Sequence, residues 1–385
     1  MDKKKLGQML ACAALLNIAP CAYAGDVPVQ IGKTTLLKID PANNGAIDYA
    51  DAKPMELPMA PLSVDDQAMA DLVSGLSGGS VQPPGLPGVQ SGNSGTGITS
   101  PVRLLPASRI VESPSPEEFG STNLPFSTAR ADGLTGTTNT IYPYRASGKL
   151  FFQKSGSSSS FVCSASLIKP GVIVTAAHCV AGFGTKKFHS NWRFMAGYRN
   201  GVAPFGVQTA RTAVVLSAYL NGTDSCAQAG VVCKDDVAVI VLSSNVGSAA
   251  GYYGIGWDGF GFTGNGLTEI TQIGYPVCLD SGQLMERNNA QGFRTPSLSN
   301  NTVAGSLMCG GSSGGPWLIN FGVRPTLTGT TPGSASSPNV VVGVTSWGYT
   351  NSSFKKMGAS PFTGGTSGNI VSLLKTACTA FPGSC

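Results

Sequence analysis

Charge is scarce in this chain: Lys, Arg, Asp and Glu make up 12% of its 385 residues. The formal charge of +5 is spread out, with its densest basic run at the very start. There is no basic stripe interleaved with aromatics, so no nucleic-acid partner is expected. Histidine is scarcer still. Only His178 and His189 occur, they do not sit at metal-ligand spacing, and no Cys-x-x-Cys pair exists. Neither a metal nor a cofactor is therefore expected. Long apolar runs are missing too. The one near the start, Leu6 to Ile18, is too short to span a bilayer, so no membrane anchor is expected. Helical periodicity is confined to short pieces, the longest being Gly368 to Ala377, a candidate terminal helix.

Glycine and proline, in contrast, are abundant at 51 and 25 residues, which favours an all-β, turn-rich protein. Lys3, Lys4 and Lys5 precede the short apolar run, and Ala22-Tyr23-Ala24 follows it as a small-x-small cleavage site. Residues 1–24 therefore read as a signal peptide cut before Gly25. Pro20 before Cys21 fits poorly with a lipid-anchored cysteine. Secretion outside the cell or into a periplasm is expected. Eight cysteines remain after that cut: Cys163, Cys179, Cys226, Cys233, Cys278, Cys309, Cys378 and Cys385. An even number in an exported chain reads as disulfides.

Residues 25–126 differ in texture from the rest. Ser63-Val64-Asp65-Asp66 can start one helix through Leu72, with Ser63 as its cap. Ser74 to Pro101, with Pro83-Pro84-Gly85 inside it, has linker composition. The region reads as a largely disordered pro-peptide, with a plain tether as the alternative. From Thr138 onward short β-branched runs recur between turn residues: Leu150 to Phe152, Val172 to Val174, Val237 to Leu242 and Val340 to Val344. That is the pattern of a barrel or sandwich.

Within this β-rich part, Cys309-Gly310-Gly311-Ser312-Ser313-Gly314-Gly315-Pro316-Trp317 holds a serine between glycines. Such a turn suits a nucleophile beside free backbone N–H groups, although a Gly/Ser surface loop reads the same way. Nucleophilic serine chemistry needs a base and a carboxylate that orients it. His178 follows an apolar run in Val174-Thr175-Ala176-Ala177-His178-Cys179 and is the better base. His189, in a basic loop, reads as an ordinary surface histidine. Asp236 heads the run Val237 to Leu242 and can enter the interior, while Asp235 or Lys234 faces solvent.

These motifs resemble the chymotrypsin-fold serine proteases. Thr175 to Cys179 is similar to that family's histidine motif, Asp236 with Val-Ala-Val-Ile to its aspartate motif, Gly311 to Pro316 to its serine motif, and Ser346-Trp347-Gly348 to its substrate-binding strand. The order His, Asp, Ser is that family's order. Thr140 to Arg145, Gly197 to Gly201, Gly251 to Gly254 and Ile273 to Pro276 resemble the bacterial glutamyl-endopeptidase-like branch. The resemblance covers about residues 127–375. It implies two packed antiparallel six-stranded β-barrels with a C-terminal helix, in a protease domain over 127–385. It also implies Ser313 as nucleophile, His178 as general base and acid, Asp236 as orienting carboxylate, and the N–H groups of Gly311 and Ser313 as oxyanion hole. Ser346 to Gly348 would pair with a polypeptide substrate as an added strand. The expected protein is a monomeric secreted serine endopeptidase whose pro-segment acts as an intramolecular inhibitor. A catalytically silent binding module and an esterase with the same triad are the alternatives.

The chain departs from the family in two places. Ser312 stands where trypsin-like enzymes hold the new N-terminus with an aspartate, and Arg109-Ile110-Val111 lacks the glycines expected after an activation cut. A mature start near Phe126 fits better. Thr345 stands where glutamate-selective members have a histidine, Met308 replaces their pocket hydroxyl, and Leu307 takes the place of trypsin's selecting aspartate. The pocket floor therefore reads as apolar, with Lys355 and Lys356 on the next loop able to reverse the preference if they reach it. By resemblance Cys163 pairs with Cys179. Cys226 with Cys233 closes a short loop, Cys278 is left for Cys309, and Cys378 with Cys385 ties the tail.

Overall fold

The computed structural model describes residues 27–43, 45–60, 88–107, 126–132, 136–258, 267–294, 301–323, 337–366 and 368–385. The expected signal peptide, the expected helix from Ser63, Pro83-Pro84-Gly85 and the Arg109 site lie outside the described residues.

Short strands precede the main sheets: β1 (Val29–Ile31), β2 (Thr34–Lys38), β3 (Lys53–Pro54), β4 (Met59–Ala60), β5 (Gly88–Gln90), β6 (Val102–Arg103) and β7 (Phe126–Arg130). The first sheet is built from β8 (Ser147–Gln153), β9 (Ser160–Lys169), β10 (Val172–Thr175), β11 (Ser190–Ala196), β13 (Gln208–Leu216) and β16 (Ala238–Leu242). Between them lie the short β12 (Val202–Ala203), β14 (Cys226–Gln228) and β15 (Val231–Cys233). Pairing runs β13–β11–β8–β9–β10–β16, and β16 returns to β13. This is a closed six-stranded barrel, in which β13 meets β11 only at Gln208 and Thr209 and so keeps an edge over its later residues. β10 and β16 are buried along their whole length. Their Val/Ile-rich runs are thus continuous rather than alternating.

The second sheet uses β17 (Gly254–Trp257), β18 (Leu267–Gly274), β19 (Glu286–Arg294), β20 (Thr302–Gly305), β21 (Pro316–Ile319), β22 (Val340–Tyr349) and β23 (Lys356–Pro361). Its order is β21–β18–β19–β20–β23–β22–β17–β5, and β21 also pairs with β22. One apolar core fills the first barrel and reaches the final helix, and a smaller one gathers Phe126, Ile270, Met308, Trp317 and Met357. The final helix, Asn369–Ala380, runs slightly past the expected end. Ile370, Leu373, Leu374 and Ala377 form its buried stripe, at the helical spacing of i, i+3, i+4 and i+7. Disulfides join Cys163 to Cys179, Cys226 to Cys233, Cys278 to Cys309 and Cys378 to Cys385, as the sequence leads one to expect.

The region before Phe126 differs from its composition. Within residues 27–43, 45–60 and 88–107, part of the stretch expected to be largely disordered, six short strands are ordered. β2 pairs antiparallel with β13 over Thr34–Lys38, β5 pairs with β17, and β6 pairs with β12. Leu36 and Leu37 are buried, and Tyr49 sets its ring edge-on to Phe151 at 5.1 Å. These segments do not bury a core of their own. They borrow strand edges and apolar surface from the domain, an option that local composition does not record.

Candidate active site

Strands β10 and β16 are antiparallel neighbours with Thr175 opposite Ala238. The residues just after β10 and just before β16 therefore emerge at the same end of the barrel. A single 3-10 turn, Ala177–Cys179, follows β10 and carries His178. Across from it, Asp236 Oδ2 lies 2.8 Å from His178 Nδ1, and Oδ1 accepts the backbone N–H of His178 at 2.9 Å. Ser346 Oγ donates to the same Oδ2 at 2.6 Å. The carboxylate thus accepts three hydrogen bonds, which offset the cost of its burial.

The serine loop is braced from the first barrel. Ser164 on β9 donates its N–H to the Ser313 carbonyl at 2.7 Å and its Oγ to the Gly311 carbonyl at 2.9 Å. The same Oγ accepts the Tyr275 N–H at 2.9 Å. The Cys278–Cys309 bridge holds the loop's start, and Ser312 Oγ donates to the Cys309 carbonyl at 2.7 Å. Gly311 has φ +94°, and a Cβ there would sit 2.6 Å from the Tyr275 carbonyl oxygen. At Gly314, with φ +77°, a Cβ would lie 2.0 Å from Thr175 Oγ1. Only glycine fits either place. Ser313 is 0% exposed, His178 5% and Asp236 2%. Ser313 Oγ and His178 Nε2 are both buried, and neither has a hydrogen-bond partner among the described residues.

A cavity of about 630 Å³ lies beside this loop. Leu307, Met308 and Gly348, three of the expected substrate-binding residues, line it, and so do Lys355 and Lys356. Lys356 is itself buried, with its ammonium 5.7 Å from the Phe354 ring centre. Thr345, Ser346 and Trp347 are not among its lining residues. Thr345 Oγ1 instead accepts Gln272 Nε2 and Trp317 Nε1, at 2.9 and 3.0 Å. Ser346 turns to Asp236, and Trp347 Nε1 donates to Asn301 Oδ1 at 2.9 Å. Met55, Leu57 and Met59, from before the domain, also line the cavity.

Two expectations need correcting. His189 is not a surface residue. It is buried, stacks on Phe152 at 5.3 Å, and accepts the Ser155 N–H at Nδ1, which leaves Nε2–H to donate to the His178 carbonyl at 3.1 Å. Burial lowers its pKa to about 4, so it is neutral at pH 7. Asp235 is also buried rather than solvent-facing, because its N–H is held by Asp224 Oδ2 at 2.8 Å. Burial raises the pKa of Asp224 to about 7, with the Asp235 charge adding to the effect. Among the described residues, two groups bring three potential metal ligands together: Cys163, His178 and Cys179, and Asp224, Cys226 and Cys233. In each the two sulfurs are bonded to one another and are not thiolate ligands. Sequence reasoning missed Ser164, Gln272 and the Met55–Met59 run. Ser164 adjoins a motif cysteine, but nothing in its type marks it as a brace.

Residues 136–361 match the family described as Trypsin. A glutamyl endopeptidase of Bacillus licheniformis is 29% identical over 148 residues, 38% of this chain and 41% of that protein. An extracellular metalloprotease of Bacillus subtilis is 26% identical over 119 residues, 31% of this chain and 35% of that protein. The matched stretches therefore span less than half the length of either relative. Among solved structures, the protease Anisep of Arthrobacter nicotinovorans is 23% identical with a TM-score of 0.47, covering 61% of this chain and 96% of its own. A Glu endopeptidase in complex with MPD is 20% identical with a TM-score of 0.45, covering 68% and 99%.

Proposed function

The chain belongs to the trypsin family, and from that membership we propose that it is an exported serine endopeptidase acting through an acyl-enzyme on Ser313. The observation that carries the reading is the grip of Asp236 on both the ring and the backbone of His178. A carboxylate so placed fixes the ring with Nδ1 protonated and Nε2 as the base. Ser313 Oγ attacks the scissile carbonyl carbon as its proton passes to His178 Nε2. The carbonyl oxygen becomes an oxyanion, held by the N–H groups of Gly311 and Ser313. His178 returns the proton to the leaving amine as the C–N bond breaks. Water, deprotonated by His178, then releases the acyl group and restores Ser313. Losing one oxyanion donor typically costs about 10²–10³ in rate.

The fold supports this role. The six strands β21, β18, β19, β20, β23 and β22 pair in sequence and β21 returns to β22, and we read them as the second barrel of a two-barrel protease. Four disulfides suit an exported protein, and the leader over 1–24 supplies the route. The cavity beside the serine loop is the substrate's primary pocket. Leu307 packs against the apolar cluster that contains Met308 and Met357, so the pocket accepts an apolar or medium-sized residue before the cut. Lys355 and Lys356 also line the cavity, so a substrate carboxylate that reached them would reverse this preference.

Fluorophosphonate labelling of the processed protein tests the activity: Ser313 is labelled and Ser313→Ala is not. Casein cleavage separates a peptidase from an esterase. Profiling with a peptide library tests the pocket, and dominant cleavage after Glu would overturn the apolar assignment.

A further inference from the structure

The run Lys53 to Ala60 crosses the cleft of the site just described. β3 lies parallel to β9 with Pro54 beside Val162, and the Met55 N–H donates to the Val162 carbonyl at 2.9 Å. The Met55 carbonyl oxygen then passes so close to the serine loop that a Cβ on Gly310 would be 3.2 Å from it. Leu57 packs on the apolar cluster of Met308 and Met357. The Pro58 carbonyl takes the Gly348 N–H at 3.0 Å, the Ala60 carbonyl takes the Thr350 N–H at 3.1 Å, and β4 lies parallel to Gly348–Tyr349. Ala60 is fully buried. The backbone donor assigned to substrate is taken, and the apolar pocket is walled on one side, by the chain's own N-terminal region.

The direction of this run decides what it does. In the proposed reaction His178 gives its proton to the leaving amine, which belongs to the C-terminal half of the substrate. His178 adjoins Cys179, and the Cys179–Cys163 bridge ties it to β9 next to Val162. The C-terminal half of a substrate therefore leaves along β9, and its N-terminal half lies along Gly348. Residues 53–60 run the opposite way, from Val162 to Tyr349. Reversing a strand exchanges the places of its N–H and C=O groups, so no peptide bond of this run presents its carbonyl carbon to Ser313 with the amine toward His178.

A second contact holds the run from the far side of the first barrel. β2 pairs with β13 over five residues, Thr34 Oγ1 meets Thr376 Oγ1 at 2.8 Å, Thr35 Oγ1 meets Ser217 Oγ at 2.8 Å, and the Ser217 N–H donates to the Lys33 carbonyl at 2.8 Å. None of these contacts needs a covalent link to Phe126.

We propose that residues 27–60 are a reverse-bound inhibitory clamp, anchored by β2 and closed by residues 53–60. On this reading, which rests on the endopeptidase assignment, a cut between residues 60 and 126 leaves the protein latent. Activity appears only when 27–60 is itself lost. That mode of control needs no aspartate at position 312.

The test compares fluorophosphonate labelling of Ser313 in three proteins: the full chain after signal removal, its Leu57→Asp variant, and the processed enzyme freed of residues 27–60. The processed enzyme labels fast and the full chain slowly. Leu57→Asp speeds labelling of the full chain about tenfold or more, as expected when an unpaired carboxylate is forced among apolar side chains. As a second measurement, a synthetic 27–60 peptide added to the processed enzyme inhibits it, and mass spectrometry finds the peptide bonds of 53–60 uncut. Equal labelling of the full chain and the processed enzyme overturns the clamp. Cleavage of the bound peptide within 53–60 overturns its reversed direction. Failure of every form to label, the processed enzyme included, refutes the endopeptidase reading instead.

Discussion

Replacing Asp236 by Asn in the processed protein tests the proposed base most directly. The carboxylate accepts three donors: the His178 N–H at Oδ1, and His178 Nδ1–H with the Ser346 hydroxyl at Oδ2. An amide offers one acceptor and one NH₂ in their place. If the NH₂ faced the His178 backbone N–H, two donors would collide, and the backbone cannot turn away. The NH₂ therefore faces the ring. The Ser346 hydroxyl rotates to accept, and the imidazole moves its proton from Nδ1 to Nε2. Geometry and fold survive, but Nε2 no longer accepts the Ser313 proton. In comparable triads this exchange lowers kcat about 10⁴-fold, which is roughly 5.5 kcal/mol of barrier at about 1.36 kcal/mol per tenfold. Single-turnover acylation with a peptide ester measures it, and KM should barely move because no substrate contact is lost. Retention of more than about a tenth of the wild-type rate, in a variant with unchanged unfolding temperature, would refute the role assigned to the pair.

Ser164→Ala strands the Tyr275 N–H and removes a donor from the Gly311 carbonyl. It should lower stability by about 2–4 kcal/mol, read from urea unfolding, since each buried group left unpaired costs about 1–3 kcal/mol. His189, with a pKa of about 4 in the fold, binds a proton more readily when unfolded. Its contribution is therefore complete above pH 6.5 and is lost as pH falls toward 4, on the order of 3 kcal/mol in all. Urea midpoints between pH 4 and 7 show this slope, and His189→Gln should flatten it. Replacing Cys278 and Cys309 by serine frees the start of the serine loop and should cost about 2–5 kcal/mol, checked by thermal unfolding.

Much of the candidate site's local geometry was legible, because the proposed chemistry needs particular residue types on particular local shapes. Gly311 and Gly314 are glycines since no side chain fits beside Tyr275 and Thr175, and Asp236 heads a buried strand because its partner waits across the ladder. Other features were not legible, for physical reasons. The partners of the Thr345 hydroxyl, Gln272 and Trp317, are distant in sequence, and no local pattern names them. His189 sits among lysines in the chain, but stacking on Phe152 takes it inside. Lys149 is buried with its Nζ donating to the Gly282 carbonyl, and burial lowers its pKa to about 7; nothing in Ser147–Gln153 announces this. Residues 53–60 are short, proline-bearing and only partly apolar. Their order comes from strand edges they meet in space.

The pairing of β2 with Thr212–Leu216 has a consequence for the life of the protein after its N-terminal region is gone. The side of β13 that faces away from β16 over Thr212–Leu216 then loses its strand partner on a β-branched, apolar edge. Such an edge is a template for strand addition by another molecule. On the proposed clamp, release of residues 27–60 exchanges latency for a surface prone to self-association. Dilution then favours the freed form, and a high local concentration favours keeping the edge covered.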